Sequence, residues 1–128
     1  MQTSFFYNDF SNAQTAASAL DEQVTSDSIA AGGNDYNIIT SLSVRQAFAA
    51  TQLVGSNGTT YLFLKEVSSD GDIQTVDVIF PTMPILLYFN PTLLKYLLDP
   101  IFIYTEAGLF GEQYALHDLG LVSLQKLD

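Results

Sequence analysis

The longest apolar run in the chain, Val78 to Leu94, is interrupted by Pro81, Pro84, Asn90 and Pro91, and Lys95 and Asp99 follow it. A membrane-spanning helix needs roughly 20 largely apolar residues in succession, so this run is expected to be buried core. The prolines divide it. Thr82 to Phe89 reads as a short helix with Pro84 near its first turn. Asn90 reads as the cap of another, with Pro91 at the first helical position, where its missing N–H costs nothing. Leu93, Leu94, Leu97, Leu98 and Ile101 supply that helix with an apolar face. Pro100 is expected to kink or end it, Ile101 to Glu106 to resume it, and Gly108 to stop it.

Upstream, Ser11 to Ala31 reads as a helix. Ser11 and Gln14 have capping-box spacing, and Ala13, Ala17, Leu20 and Val24 form a narrow apolar stripe. Gly32-Gly33 ends it, and Asn34 or Asp35 caps a second helix over Tyr36 to Leu53, with Gly55 past its end. The two make an αα-hairpin. Ser56-Asn57-Gly58 is turn chemistry. Thr60 to Val67 and Ile73 to Phe80 then read as two strands of a β-hairpin around the turn Ser68 to Asp72, and such a hairpin must lie against helices to be stable. The fold class expected is mostly α with a β-hairpin.

Composition excludes several functions. The formal net charge is −10, from 14 acidic against 4 basic residues. Such a surface repels phosphate backbones and anionic lipid, so neither nucleic acid nor membrane is expected as a partner. With no Cys, disulfides, thiolate metal sites and thiol catalysis are closed to this chain. Met1 to Phe10 lacks the basic segment and apolar run of a signal peptide.

No nucleotide-binding loop, zinc-protease motif, EF-hand or nucleophile elbow is present. The carboxylates of Asp70 and Asp72 are too few for a calcium site, and a solvated turn is the better reading. No metal and no cofactor is expected. His117, the only histidine, is followed by Asp118. Histidine titrates near neutral pH, and a neighbouring carboxylate can orient it or raise its pKa; the bland reading is an ordinary packing or surface residue. Lys65 and Glu66 point to opposite faces if they lie on a strand. Asp35, Asp70, Asp72 and Asp118 are candidates for a carboxylate wall, and each is otherwise a solvated acid.

Several segments together resemble a known family. They are Ala13 to Asp21, Gly32-Gly33-Asn34-Asp35-Tyr36, Arg45-Gln46-Ala47-Phe48, the run Leu62 to Pro81, and His117-Asp118-Leu119-Gly120. In this order they resemble the six-helical-hairpin domain of the fungal glutaminase A family over Phe5 to Gly120, with Lys65 to Pro81 as the most specific stretch. The resemblance implies a secreted amidohydrolase that converts glutamine to glutamate and ammonia, built as an (α/α)₆ six-hairpin toroid of about twelve helices. This chain would supply about four helices and a hairpin of it. Residues 1–120 would be the N-terminal part of that domain and residues 121–128 a divergent tail. The chain would then be a fragment, inactive alone.

The resemblance places His117 and Asp118 near the toroid mouth for acid–base or substrate-carboxylate work, with Asp35, Lys65 and Glu66 in binding or support. A small-molecule substrate is implied for the full-length family, and self-association through exposed apolar surface for this chain. The alternatives are a six-hairpin glycosidase-like protein acting in carbohydrate metabolism, and a non-catalytic helical interaction module.

Overall fold

The computed structural model describes residues 9–56, 58–66 and 71–120. The chain divides into two compact units, residues 1–45 and 46–128. Asn57 of the first turn, most of the turn read over Ser68 to Asp72, and the tail 121–128 lie outside the described residues.

Helix α1 runs Phe10–Ala49 and is broken at Gly33, whose φ of 79° and ψ of −168° are closed to a residue with a Cβ. The helix starts two residues earlier than the capping box implies, with Asp9 O accepting the first helical bond from Ala13 N at 3.0 Å, so Ser11 lies inside the first turn. The arms fold back on each other. Thr40 Oγ1 donates to Ser28 Oγ at 2.7 Å, and Arg45 lies 3.7 Å from Asp21. A straight helix would put Asp21 and Arg45 about 36 Å apart, so the contact establishes the αα-hairpin. A Cβ on Gly32 would meet Tyr36 Cβ at 2.7 Å, which explains glycine beside the break. Val24 and Ser28 are buried, whereas Ile38, Ile39 and Leu42 are exposed. Much of the apolar face expected of the second arm is therefore open in this chain.

The second arm ends at Ala49, not Leu53, because residues 51–56 are a strand, β1 (Thr51–Ser56). It pairs antiparallel with β2 (Thr59–Leu64) in a register from Ser56↔Thr59 to Thr51↔Leu64. The two-residue connection this leaves, with Gly58 at φ 81°, is what Asn-Gly favours between paired strands. Gly55 is accordingly a strand residue opposite Thr60 and not a helix cap.

The hairpin expected between Thr60–Val67 and Ile73–Phe80 is reduced to one bridge, Lys65↔Ile73. Val76 instead opens helix α2 (Val76–Phe89). Thr75 is its extended N-terminal boundary, Asp77 places a carboxylate in its first turn where the helix dipole favours one, and Ile79, Thr82 and Leu86 recur at helical steps as its buried face. Pro81 and Pro84 sit inside it, so tertiary packing outweighs their local cost. The run Val78 to Leu94 is buried on one side only, with Phe80, Leu87 and Tyr88 open.

Helix α3 (Pro91–Glu106) begins as the sequence predicts, Asn90 Oδ1 accepting from Thr92 N at 3.0 Å. Pro100 neither ends nor divides it. Gly108, at φ 71°, stops it, with bonds of 3.0 Å from Gly108 N to Thr105 O and 3.3 Å from Leu109 N to Tyr104 O.

Among the described residues, the main buried cluster lies in the second unit. Leu62 and Leu64 of β2, Ile79 and Leu86 of α2, Leu97, Ile101 and Tyr104 of α3, and Leu116 and Leu119 beyond it form one buried cluster. The chain is mostly α-helical with one antiparallel hairpin. Among the described residues, no helix is long and apolar enough to cross a membrane.

Candidate functional site around His117

The site is built from three segments of the second unit: the end of β2 at Lys65 and Glu66, the connection and first turn over residues 72–77, and the extended stretch 117–120. Two backbone bonds lay the last along the second. Val76 N donates to His117 O at 2.8 Å and Leu119 N donates to Ile73 O at 2.8 Å. Leu116 is buried in the core, which turns its chain neighbour His117 outward. Glu66 N donates to Asp72 O at 3.1 Å, and Thr75 Oγ1 donates to Glu66 Oε2 at 3.3 Å.

His117 is thereby surrounded by acids. Its Nδ1–H donates to Asp118 Oδ2 at 2.9 Å, and Nε2 lies 3.8 Å from Asp77 Oδ1. Asp118 is the more shielded carboxylate, its side chain 27% exposed against 72% for Asp77. The bond to Asp118 raises the His117 pKa above its ordinary 6.5; desolvation, next in weight, opposes it, and the charges of Asp77, Asp118 and Glu66 add lesser upward pushes. Asp72 approaches the same place, since a Cβ on Gly120 would lie 2.7 Å from Asp72 Oδ1 and 2.8 Å from Asp118 Oδ1. Only glycine lets both carboxylates sit against the backbone there.

The structure thus brings together His117, Asp118, Glu66 and Asp72 from the residues singled out in the sequence, while Asp70 lies outside the described residues. Lys65 is adjacent in the chain and exposed, and Asp35 is an exposed residue of the first unit, just past the break at Gly33. Asp77 and Gly120 join the site without having been singled out for it. The signal for Asp77 was present as a polar residue interrupting an apolar stretch, but a strand reading gives it no partner, whereas the first turn of a helix aims it at His117.

Gln74 is the other residue missed. It is wholly buried and holds φ at 58°. Its Oε1 accepts from Leu64 N at 2.6 Å, its Nε2 donates to Leu62 O at 3.1 Å and to Leu97 O, and its own N–H donates to Leu64 O at 2.9 Å. One side chain thus does for the free edge of β2 what a third strand would do, and pins that edge to α3.

On another side of Leu119 lies an apolar groove of about 410 Å³, lined by Tyr61, Phe63, Pro100, Ile103, Tyr104 and Leu119 among others. Its lining is almost wholly apolar, whereas His117 stands among carboxylates and open to solvent.

Comparison with known proteins places this sequence in a family. Residues 33–122 match the model described as the glutaminase A six helical-hairpin domain. Over 116 residues, 91% of this chain, the sequence is 51% identical to glutaminase A of Aspergillus oryzae and 40% identical to a protein of Arthroderma benhamiae named as a probable glutaminase. The chain spans 17% and 14% of the lengths of those two relatives. No solved structure gives a significant match. With the second arm of its helical hairpin and its His-Asp-Leu-Gly segment inside the matched region, the chain belongs to the glutaminase A family, within its six-helical-hairpin domain.

Proposed function

We propose that this chain forms part of an amidohydrolase that releases ammonia from the side-chain amide of glutamine, with His117 as the group that protonates the departing nitrogen. The observation that carries the proposal is His117 held through Nδ1 by Asp118 and facing Asp77 through Nε2, in a chain half identical to a glutaminase A over nine-tenths of its length. Amide hydrolysis needs a proton donor for the amine, a positioned water or nucleophile, and donors for the oxyanion. A histidine whose proton is favoured by neighbouring carboxylates is a natural donor near neutral pH. The acids around it, Glu66 and Asp77 foremost, also suit the α-ammonium group of an amino acid, and Lys65 beside them suits its carboxylate. Asp35 is proposed for substrate binding or support in the full-length domain.

Residues 1–120 are proposed to act within the larger domain, and the chain alone is proposed not to turn over glutamine. The test uses two proteins: the 128-residue chain, and a chimera in which it replaces the aligned 116-residue segment of the Aspergillus oryzae glutaminase A. Ammonia release from glutamine is expected from the chimera and not from the chain. His117→Gln in the chimera is expected to lower kcat by about 10²–10⁴, the usual contribution of a positioned acid–base group. Unchanged kcat in that variant would remove His117 from the chemistry. Turnover by the chain alone at a rate of about 1 s⁻¹ or more, ordinary for an enzyme, would show that it is self-sufficient.

A further inference from the structure

The geometry points to Gln74 as a positioning residue that sets His117 in place from the opposite edge of the 73–76 strap. The strap has two edges. On one, Gln74 is bonded to β2 through its backbone N–H and to Leu62, Leu64 and Leu97 through its side chain. On the other, Ile73 O and Val76 N bond to Leu119 N and His117 O. The positive φ of Gln74 is the turn that lets neighbouring residues face opposite ways. A glutamine rarely holds φ near 58° unless its surroundings enforce it, and here they do so through four hydrogen bonds at one wholly buried residue. The orientation of its amide follows from its partners, since one N–H and two carbonyls admit the oxygen and the NH₂ each in one place only.

The consequence reaches the proposed site through a short path. If Gln74 loses its anchors, Ile73 O and Val76 N no longer stand in register for the 117–119 segment. The imidazole then loses the placement that joins Asp118 to one nitrogen and Asp77 to the other. Among the described residues, the charged groups about His117 are Asp118 on its own segment, Asp77 on the first turn of α2 and Glu66 at the end of β2, with Asp72 close by against Gly120. All are acidic and the bond to Asp118 is the largest influence, so its loss lowers the midpoint towards the ordinary value. That Gln74 tunes hydrolysis in this way rests on the glutaminase reading above. That it sets the environment of His117 does not.

The separation between the two decides the experiment. Because His117 is the only histidine, the imidazole resonances of the 128-residue chain report one residue without assignment. Gln74→Glu puts an ionised carboxylate against two carbonyl oxygens, while Gln74→Gly keeps the backbone turn and removes the amide. In both, the midpoint of the imidazole titration is expected to fall from its raised value towards 6.5. Asn90→Ala, which weakens the same unit through the cap of α3, is expected to leave it unmoved. A midpoint that stays raised in Gln74→Gly overturns the inference. So does an equal fall in Asn90→Ala, since Gln74 would then act only by general stability.

Should the Gln74 variants fail to fold, amide exchange in the unaltered chain takes their place. The N–H groups of Leu64, Gln74, Val76 and Leu119 are expected to exchange as one group. Rapid exchange at Val76 and Leu119 beside slow exchange at Leu64 would refute the coupling. Ammonia release by the chimera is scored apart from these results, so a chimera without activity leaves them standing and counts against the glutaminase reading alone.

Discussion

Replacing Gln74 with leucine isolates the contribution of a buried amide, because the side chains are similar in size and only the polarity changes. The substitution strands three groups, the N–H of Leu64 and the carbonyls of Leu62 and Leu97, each now bonded to the glutamine amide. A buried polar group left without its partner costs about 1–3 kcal/mol, and a carbonyl, with a second lone pair, less than an N–H. The sum is about 3–5 kcal/mol, which is large against the roughly 5–15 kcal/mol that holds a domain together. Taking a urea dependence of about 1–3 kcal/mol per molar, the unfolding midpoint is expected to fall by about 2 M. Gln74→Gly supplies the control. It relieves the left-handed backbone by roughly 1 kcal/mol and leaves room for water to reach the stranded groups. Glycine is therefore expected to destabilise less than leucine, although it removes more of the side chain. Loss of packing volume alone predicts the reverse order. Urea titrations followed by circular dichroism decide between them. A leucine variant within about 1 kcal/mol of the parent, or one more stable than the glycine variant, refutes the reasoning.

Three further outcomes follow from the same geometry. The raised pKa of His117 means that the folded chain binds this proton more tightly than the unfolded chain, so the associated stability is fully present below the ordinary value of 6.5 and is lost as pH rises through the raised folded value; the urea midpoint is expected to fall across that window in the parent and to lose this component in His117→Gln. Gly120→Ala would press a methyl group to within 2.7–2.8 Å of the Asp72 and Asp118 carboxylates. Both must swing away at a cost of about 1–3 kcal/mol, and the imidazole midpoint of His117 is expected to drop as its bond to Asp118 is lost. Asn90→Ala removes the side-chain acceptor that caps Thr92 N and is expected to cost about 1 kcal/mol, read as a lower thermal midpoint; an unchanged midpoint would show that Pro91 alone suffices to start α3.

Where a segment's structure is decided by its own neighbours, its sequence is readable. Asn90-Pro91 starts α3, Gly108 stops it, and Gly33 breaks α1, because each of these residues supplies locally what the backbone there requires. Residues 51–56 mislead for the opposite reason. Leu53 extends the helical spacing of the preceding arm, and only the Asn-Gly connection and the waiting partner Thr59–Leu64 turn the segment into β1. Ile73 to Phe80 misleads more deeply. Its apolar residues serve a strand or a helix equally well, and the choice falls to Gln74, whose three side-chain bonds go to residues distant in the chain. Once Gln74 closes the edge of β2, no second strand is needed there. The chain is free to enter α2 at Val76, and that early helical turn is what carries Asp77 to His117. His117 and Asp118 were legible as chemistry because they are adjacent and of apt type. Glu66 and Asp72 were legible as candidates but not as neighbours of His117, and Asp77 was not legible at all, since its proximity is a product of the fold decision taken at Gln74. Reading a site of this kind from sequence therefore means asking which buried polar residue has no local partner, and following it to the segments it must join.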